Sequence, residues 1–126
     1  MMITHFRVAR HTDSLDKMKA FYIGLLGLQE LGHFTGHDGY DGVFLGLPGA
    51  DWHLEFTVSE TKPEHQPDAD DLLVFYLPDE AALKVYQGRM SEAGVLPVTP
   101  VNPYWVQHGV SYTDPDGFGI MLALKS

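Results

Sequence analysis

The sequence predicts an α+β fold: two runs of strands, each wrapped around one short helix. Three observations predict it. Strand-like runs cluster instead of alternating evenly with helices. One order of elements occurs twice, at an offset of somewhat under seventy residues, although few letters repeat. Glycine and proline turn signals separate the runs, most strongly at Asp114-Pro115-Asp116-Gly117.

Ile3 to Arg10 alternates and reads as a strand. Asp13 or Ser14 can cap a helix in which Leu15, Met18, Phe21, Tyr22, Leu25 and Leu26 recur at helical spacing. Gly27 suits the left-handed stop. Leu28 to Thr35 reads as a strand, and "GHDGYDG" (36–42) as a glycine-bent loop with solvated His37, Asp38 and Asp41. That loop matches no Walker or dinucleotide motif. Val43 to Leu47 and Trp52 to Val58 are two further strands, joined through Pro48-Gly49.

"SETKPEHQPDADD" (59–71) reads as a solvated, mobile linker. The pattern then restarts. Leu72 to Leu77 is a strand, and Asp79 caps a helix with an Ala82, Leu83, Tyr86 and Met90 stripe that ends at Gly94. Val95 to Val98, Gln107 to Thr113 and Phe118 to Leu124 are expected strands. The expected organisation is one domain over 1–126: module 1 at about 1–58, linker at about 59–71, module 2 at about 72–126.

Composition narrows the partners. The chain has 126 residues, 44% of them hydrophobic, enough for one domain with a sizeable core. A formal charge of −9, with scattered Lys and Arg, argues against nucleic-acid binding. The absence of cysteine excludes disulfides, thiolate zinc sites and a Cys nucleophile. No apolar run approaches a membrane span, and MMITHFRVAR lacks a signal-peptide core, so a cytoplasmic location is expected.

The chemistry concentrates in "DWHLEF" (51–56), where His53 and Glu55 share one face of a strand. Strand parity sorts the other strands too. Phe6 and Val8, Leu54 and Phe56, Leu73, Phe75 and Leu77, and Ile120, Leu122 and Leu124 form apolar sets expected beneath the helices. The opposite sets hold His5, Arg7 and Ala9; His53, Glu55 and Thr57; Leu72, Val74 and Tyr76; and Gly119, Met121 and Ala123. These are expected to face a concavity.

"FYIGLLGLQEL" (21–31), "HLEF", "EAGV" (92–95) and "YTDPDGFGIMLAL" (112–124) together resemble the vicinal oxygen chelate superfamily, which includes glyoxalase I, bleomycin-resistance proteins and extradiol dioxygenases. The resemblance covers nearly the whole chain. It implies two βαβββ modules whose curved mixed sheet surrounds a concave pocket, often within a homodimer. Metal-dependent members take ligands from four strands, and those positions fall here on Arg7, Glu55, Leu72 and Met121. Only Glu55 is of ligand type. A guanidinium stays protonated and offers no lone pair, and leucine has no donor. Arg7 is therefore expected to pair with Glu55, and no metal is expected. The alternative is a shifted site of His5, His53, Glu55 and His108 holding one divalent ion such as Zn, Fe, Mn or Ni.

The expected function is metal-free small-molecule binding of the glyoxalase/bleomycin-resistance type. Arg7, Glu55, His53, His5, Tyr76, Met121 and Trp105 are the expected ligand contacts. Tyr104 and Trp105 read as a pocket lip, with Phe44 and Tyr40 as weaker candidates of the same kind. His53 reads as a pocket-wall residue and Glu55 as the partner of Arg7; both are also the candidates for proton transfer. His108 reads as structural. The alternatives are a metal-dependent lyase, isomerase or dioxygenase, and a non-catalytic structural or interaction domain.

Overall fold

The computed structural model describes residues 2–125. The chain divides into two compact units, the first ending at Glu64 and the second beginning at His65.

In the first unit, β1 (Phe6–His11) runs parallel to β4 (Trp52–Val58). β4 pairs antiparallel with β3 (Tyr40–Gly46), and β3 with β2 (Gln29–His37), giving the order β1-β4-β3-β2. The covering helix begins as expected. Ser14 caps α1 (Leu15–Lys19), its side chain accepting from the Lys17 N–H at 3.2 Å. The helix then widens into a π-helical segment, Ala20–Leu25, before Gly27 stops it at φ 77°. Met18, Phe21, Tyr22 and Leu26 are buried, as are Val43, Leu45, Leu54 and Phe56 of the sheet. The Tyr22 and Phe56 rings lie 5.0 Å apart. Burying each such large side chain contributes about 1.5–3 kcal/mol.

Two expectations for this unit are corrected. "GHDGYDG" is no open loop: β2 runs on to His37 and β3 restarts at Tyr40. Asp38 and Gly39 turn the hairpin with φ of 52° and 86°, the mirror-image turn that suits the strand twist. Phe6 is 63% exposed instead of lying under the helix, because it opens an edge strand.

In the second unit, β7 (Gly119–Leu124) is central, with β5 (Leu72–Leu77) parallel on one side and β6 (Gly109–Thr113) antiparallel on the other. Asp79 caps α2 (Glu80–Glu92), its Oδ1 accepting from the Ala82 N–H at 2.9 Å. Ala82, Leu83 and Tyr86 are half-buried and Met90 fully so, which is the expected stripe. The expected strand Val95 to Val98 is absent among the described residues; a single bridge, Val98 to Ser111, remains. Pro97 offers no N–H to a ladder and Pro100 follows closely. Residues 103–106 instead form a helical turn, α3 (Pro103–Val106), and β6 starts two residues later than expected.

The latter part of the 59–71 segment is not simply solvated. The His65 ring meets Phe118 edge-on at 5.2 Å, with Nδ1 4.0 Å from an Asp116 carboxylate oxygen. Both sheets are mixed, and the fold is α+β as expected.

Candidate functional site

The parallel ladder between β1 and β4 sets Arg7 beside His53 and Ala9 beside Glu55. Side chains alternate along a strand, so Arg7, Ala9 and His11 share a face with His53, Glu55 and Thr57. β3 continues that face, with Phe44 opposite Glu55 and Gly46 opposite His53.

Arg7 and Glu55 pair as parity predicts, with Nη1 of Arg7 donating to Oε1 of Glu55 at 3.4 Å. The Glu55 side chain is 12% exposed and that of Arg7 is 48% exposed. The carboxylate is thus held in the sheet while the guanidinium reaches out. The guanidinium also lies 5.1 Å from the centre of the Phe44 ring, a cation–π arrangement. Phe44 meets the His53 ring edge-on, with centroids 5.5 Å apart.

His5 extends the face beyond the start of β1. Its Nε2 is 2.6 Å from Nδ1 of His53. One ring must donate and the other accept, so the pair needs at least one neutral imidazole. His53 fits that role. Partial burial holds its pKa below the ordinary histidine value; Arg7 and His5 act in the same direction, and Glu55 opposes them.

Arg7, Leu31, Phe44 and His53 line a cavity of about 210 Å³. Glycines make room for the rings of Phe44 and, outside the lining, Phe34. A Cβ at Gly32 would sit 3.3 Å from the Phe44 ring, and one at Gly42 would strike the Phe34 ring. Sequence reasoning missed Leu31, which lies where the β2–β3 register slips between Glu30 and Gly32. It also missed His11, whose Nε2 is 2.9 Å from the Ser59 hydroxyl. A strand reading extended by one residue would have found His11.

Arg7 brings a fixed positive charge against Glu55, the one ligand-type residue at the four positions the family uses. In the shifted set, the His5 and His53 nitrogens are bonded to each other. Among the described residues, no group of three or more His, Asp or Glu is gathered in a way that could hold a metal ion.

The remaining expected contacts lie in the second unit. Tyr76, Tyr104, Trp105 and His108 come together there around a separate cavity of about 260 Å³. His108 stacks on Tyr104, with centroids 4.1 Å apart. Met121 is fully buried in β7, so its thioether is not presented at the surface. Leu72 is half-buried.

The fold is that of solved glyoxalase, bleomycin-resistance and fosfomycin-resistance structures. Residues 6–57 match the YycE-like N-terminal domain and residues 70–123 the YycE-like C-terminal domain. The chain belongs to the YycE-like family. It is 45% identical over 119 residues to the uncharacterized protein YycE of Bacillus subtilis (strain 168), covering 92% of this chain and 84% of that one. It also resembles the crystal structure of a YycE protein of unknown function from Bacillus subtilis: TM-score 0.89, 41% identity, 100% of this chain and 93% of that one. A further likeness is to TnmS3, an antibiotic binding protein from Streptomyces sp. CB03234: TM-score 0.71, 26% identity, 100% of this chain and 99% of that one.

Proposed function

We propose that this protein binds a small organic molecule without a metal and acts by holding it. The supporting observation is the Arg7 guanidinium, which pairs with Glu55 and lies over Phe44 at the cavity wall. An arginine has five N–H donors, and Glu55 engages one nitrogen here. The rest are available to an acceptor on the ligand, while Leu31 and Phe44 supply apolar contact. The likeness to an antibiotic binding protein supports the same reading.

Chelator-treated protein screened by thermal shift against small organic compounds, with bleomycin and fosfomycin among them, tests this. A stabilising compound should lose its effect in Arg7→Ala and Phe44→Ala. Equal stabilisation of both variants would remove the site from consideration.

One observation favours a second reading. Partial burial favours the neutral form of His53, which is hydrogen-bonded to His5, an arrangement suited to a general base. Turnover of a bound compound, lost in His53→Gln or Glu55→Gln with binding retained, would establish it. The proposal further takes the protein to be a cytoplasmic homodimer; the exposed Ile3 and Phe6 support a covering partner. Light scattering on the eluting protein reads the mass directly.

A further inference from the structure

We propose that the second unit carries a ligand site of its own, for a small planar aromatic carboxylate. It rests only on second-unit residues and stands or falls separately from the first-unit site.

The backbone under this site is pinned. The Asn102 side chain caps α3 by accepting from the Tyr104 N–H at 3.0 Å, and its carbonyl accepts from Trp105 at 3.1 Å. The His108 N–H closes back on Trp105, and the His108 carbonyl accepts from Leu124 of β7 at 2.8 Å. Three hydrogen bonds thus close the ring-bearing turn on itself, and one ties it to the central strand. Presenting rings on such a turn lowers the entropy lost on binding.

The rings form a corner. Tyr104 and His108 stack nearly parallel, with 25° between planes. Trp105 stands at 87° to Tyr104 and 80° to His108. A planar guest entering this corner meets one ring by its face and another by its edge, both favoured aromatic geometries. Tyr76 of β5 completes the lining. Tyr104 is 58% exposed and Tyr76 is 54% exposed, which leaves ring surface for a guest besides the Tyr104 face that stacks on His108.

Charge sets the ligand's sign. Among the described residues, the cavity is lined by Lys125 and by no carboxylate, in a chain of formal charge −9. The Lys125 ammonium sits 5.6 Å from the centre of the Tyr76 ring, at the edge of the space a guest would fill. An aromatic acid places its rings in the corner and its carboxylate against this ammonium and a His108 N–H. The volume of about 260 Å³ falls just under the usual range of about 300–1,000 Å³ for drug-sized ligands, which selects a guest of one or two rings.

The two tryptophans make the test direct, since Trp52 lies in the first unit and Trp105 in the second. Titration with 2-naphthoate is followed at the two indole N–H resonances in nitrogen-15-labelled protein. The Trp105 signal should move saturably below about 1 mM ligand while that of Trp52 stays. Lys125→Met, at an exposed position, should weaken binding about tenfold, and Arg7→Ala should leave it unchanged. Neutral 2-naphthamide should bind about tenfold more weakly than the acid. The proposal is overturned if neither indole moves, if Trp52 alone responds, if Arg7→Ala abolishes binding, or if the amide binds as well as the acid.

Discussion

The Arg7 guanidinium lies 3.4 Å from the Glu55 carboxylate, across two parallel strands that bring the two residues to one face. Glu55 is mostly covered and Arg7 is half in water. The loss of Arg7 therefore strands a covered carboxylate, whereas the loss of Glu55 frees a guanidinium to the solvent.

Arg7→Ala should lower stability by about 1–2 kcal/mol, less than the ~3–5 kcal/mol of a fully buried pair because solvent screens the exposed partner. Glu55→Gln should cost less, and adding it to Arg7→Ala should recover part of the loss. Urea unfolding of the two single variants and the double variant measures the coupling. Strictly additive changes would mean that the contact carries no energy.

Acid should weaken the fold through His53. Its pKa in the folded protein lies below the unfolded value of about 6.5, so the unfolded chain binds more protons in the interval between them. Stability is then full above about pH 6.5 and falls as the pH drops through the lower, folded value. His53→Asn should flatten this slope. Unfolding midpoints of wild type and variant, compared between about pH 7 and pH 5, test the sign.

Gly109→Ala should be severe. A Cβ there would collide with the Leu122 carbonyl oxygen and lie 2.9 Å from the Ala123 Cα. Both are backbone atoms of the central strand β7 and cannot swing aside. A loss of about 3 kcal/mol or more, seen as reduced soluble yield and a lowered melting temperature, is expected. A variant with wild-type stability would show that β6 does not sit so close to β7.

Asp79→Ala should cost about 1 kcal/mol, because the Ala82 N–H loses the carboxylate that caps α2. Asp79→Asn or Asp79→Ser should restore most of it. Thermal melts of the three variants separate capping from any effect of charge alone.

The site face was legible because period-two alternation alone assigns Arg7, His53 and Glu55 to one side of their strands. The chemistry of arginine then argued for an ion pair instead of a metal ligand. The α2 cap and stripe were legible for the same local reason. Leu31 was not, because a register slip depends on the partner strand and leaves no mark in the alternation of its own. The hairpin at Asp38-Gly39 was hidden by flanking glycines that read as a loop. The ring corner was the least accessible: Tyr104 and Trp105 read as a pocket lip, but they meet His108 only because residues 103–106 turn helically, and no element was assigned there from the sequence.

Binding in the first unit can be read at the Leu31 methyl and Phe44 ring resonances of chelator-treated protein, as a stabilising compound is added and then zinc, iron, manganese or nickel. Shifts at Leu31, Phe44 and His53 that saturate before any metal is added, and stay the same afterwards, are the expected result. Binding that appears only once the metal is present, with the His5 and His53 signals moving on metal addition, would contradict metal-free recognition by Arg7.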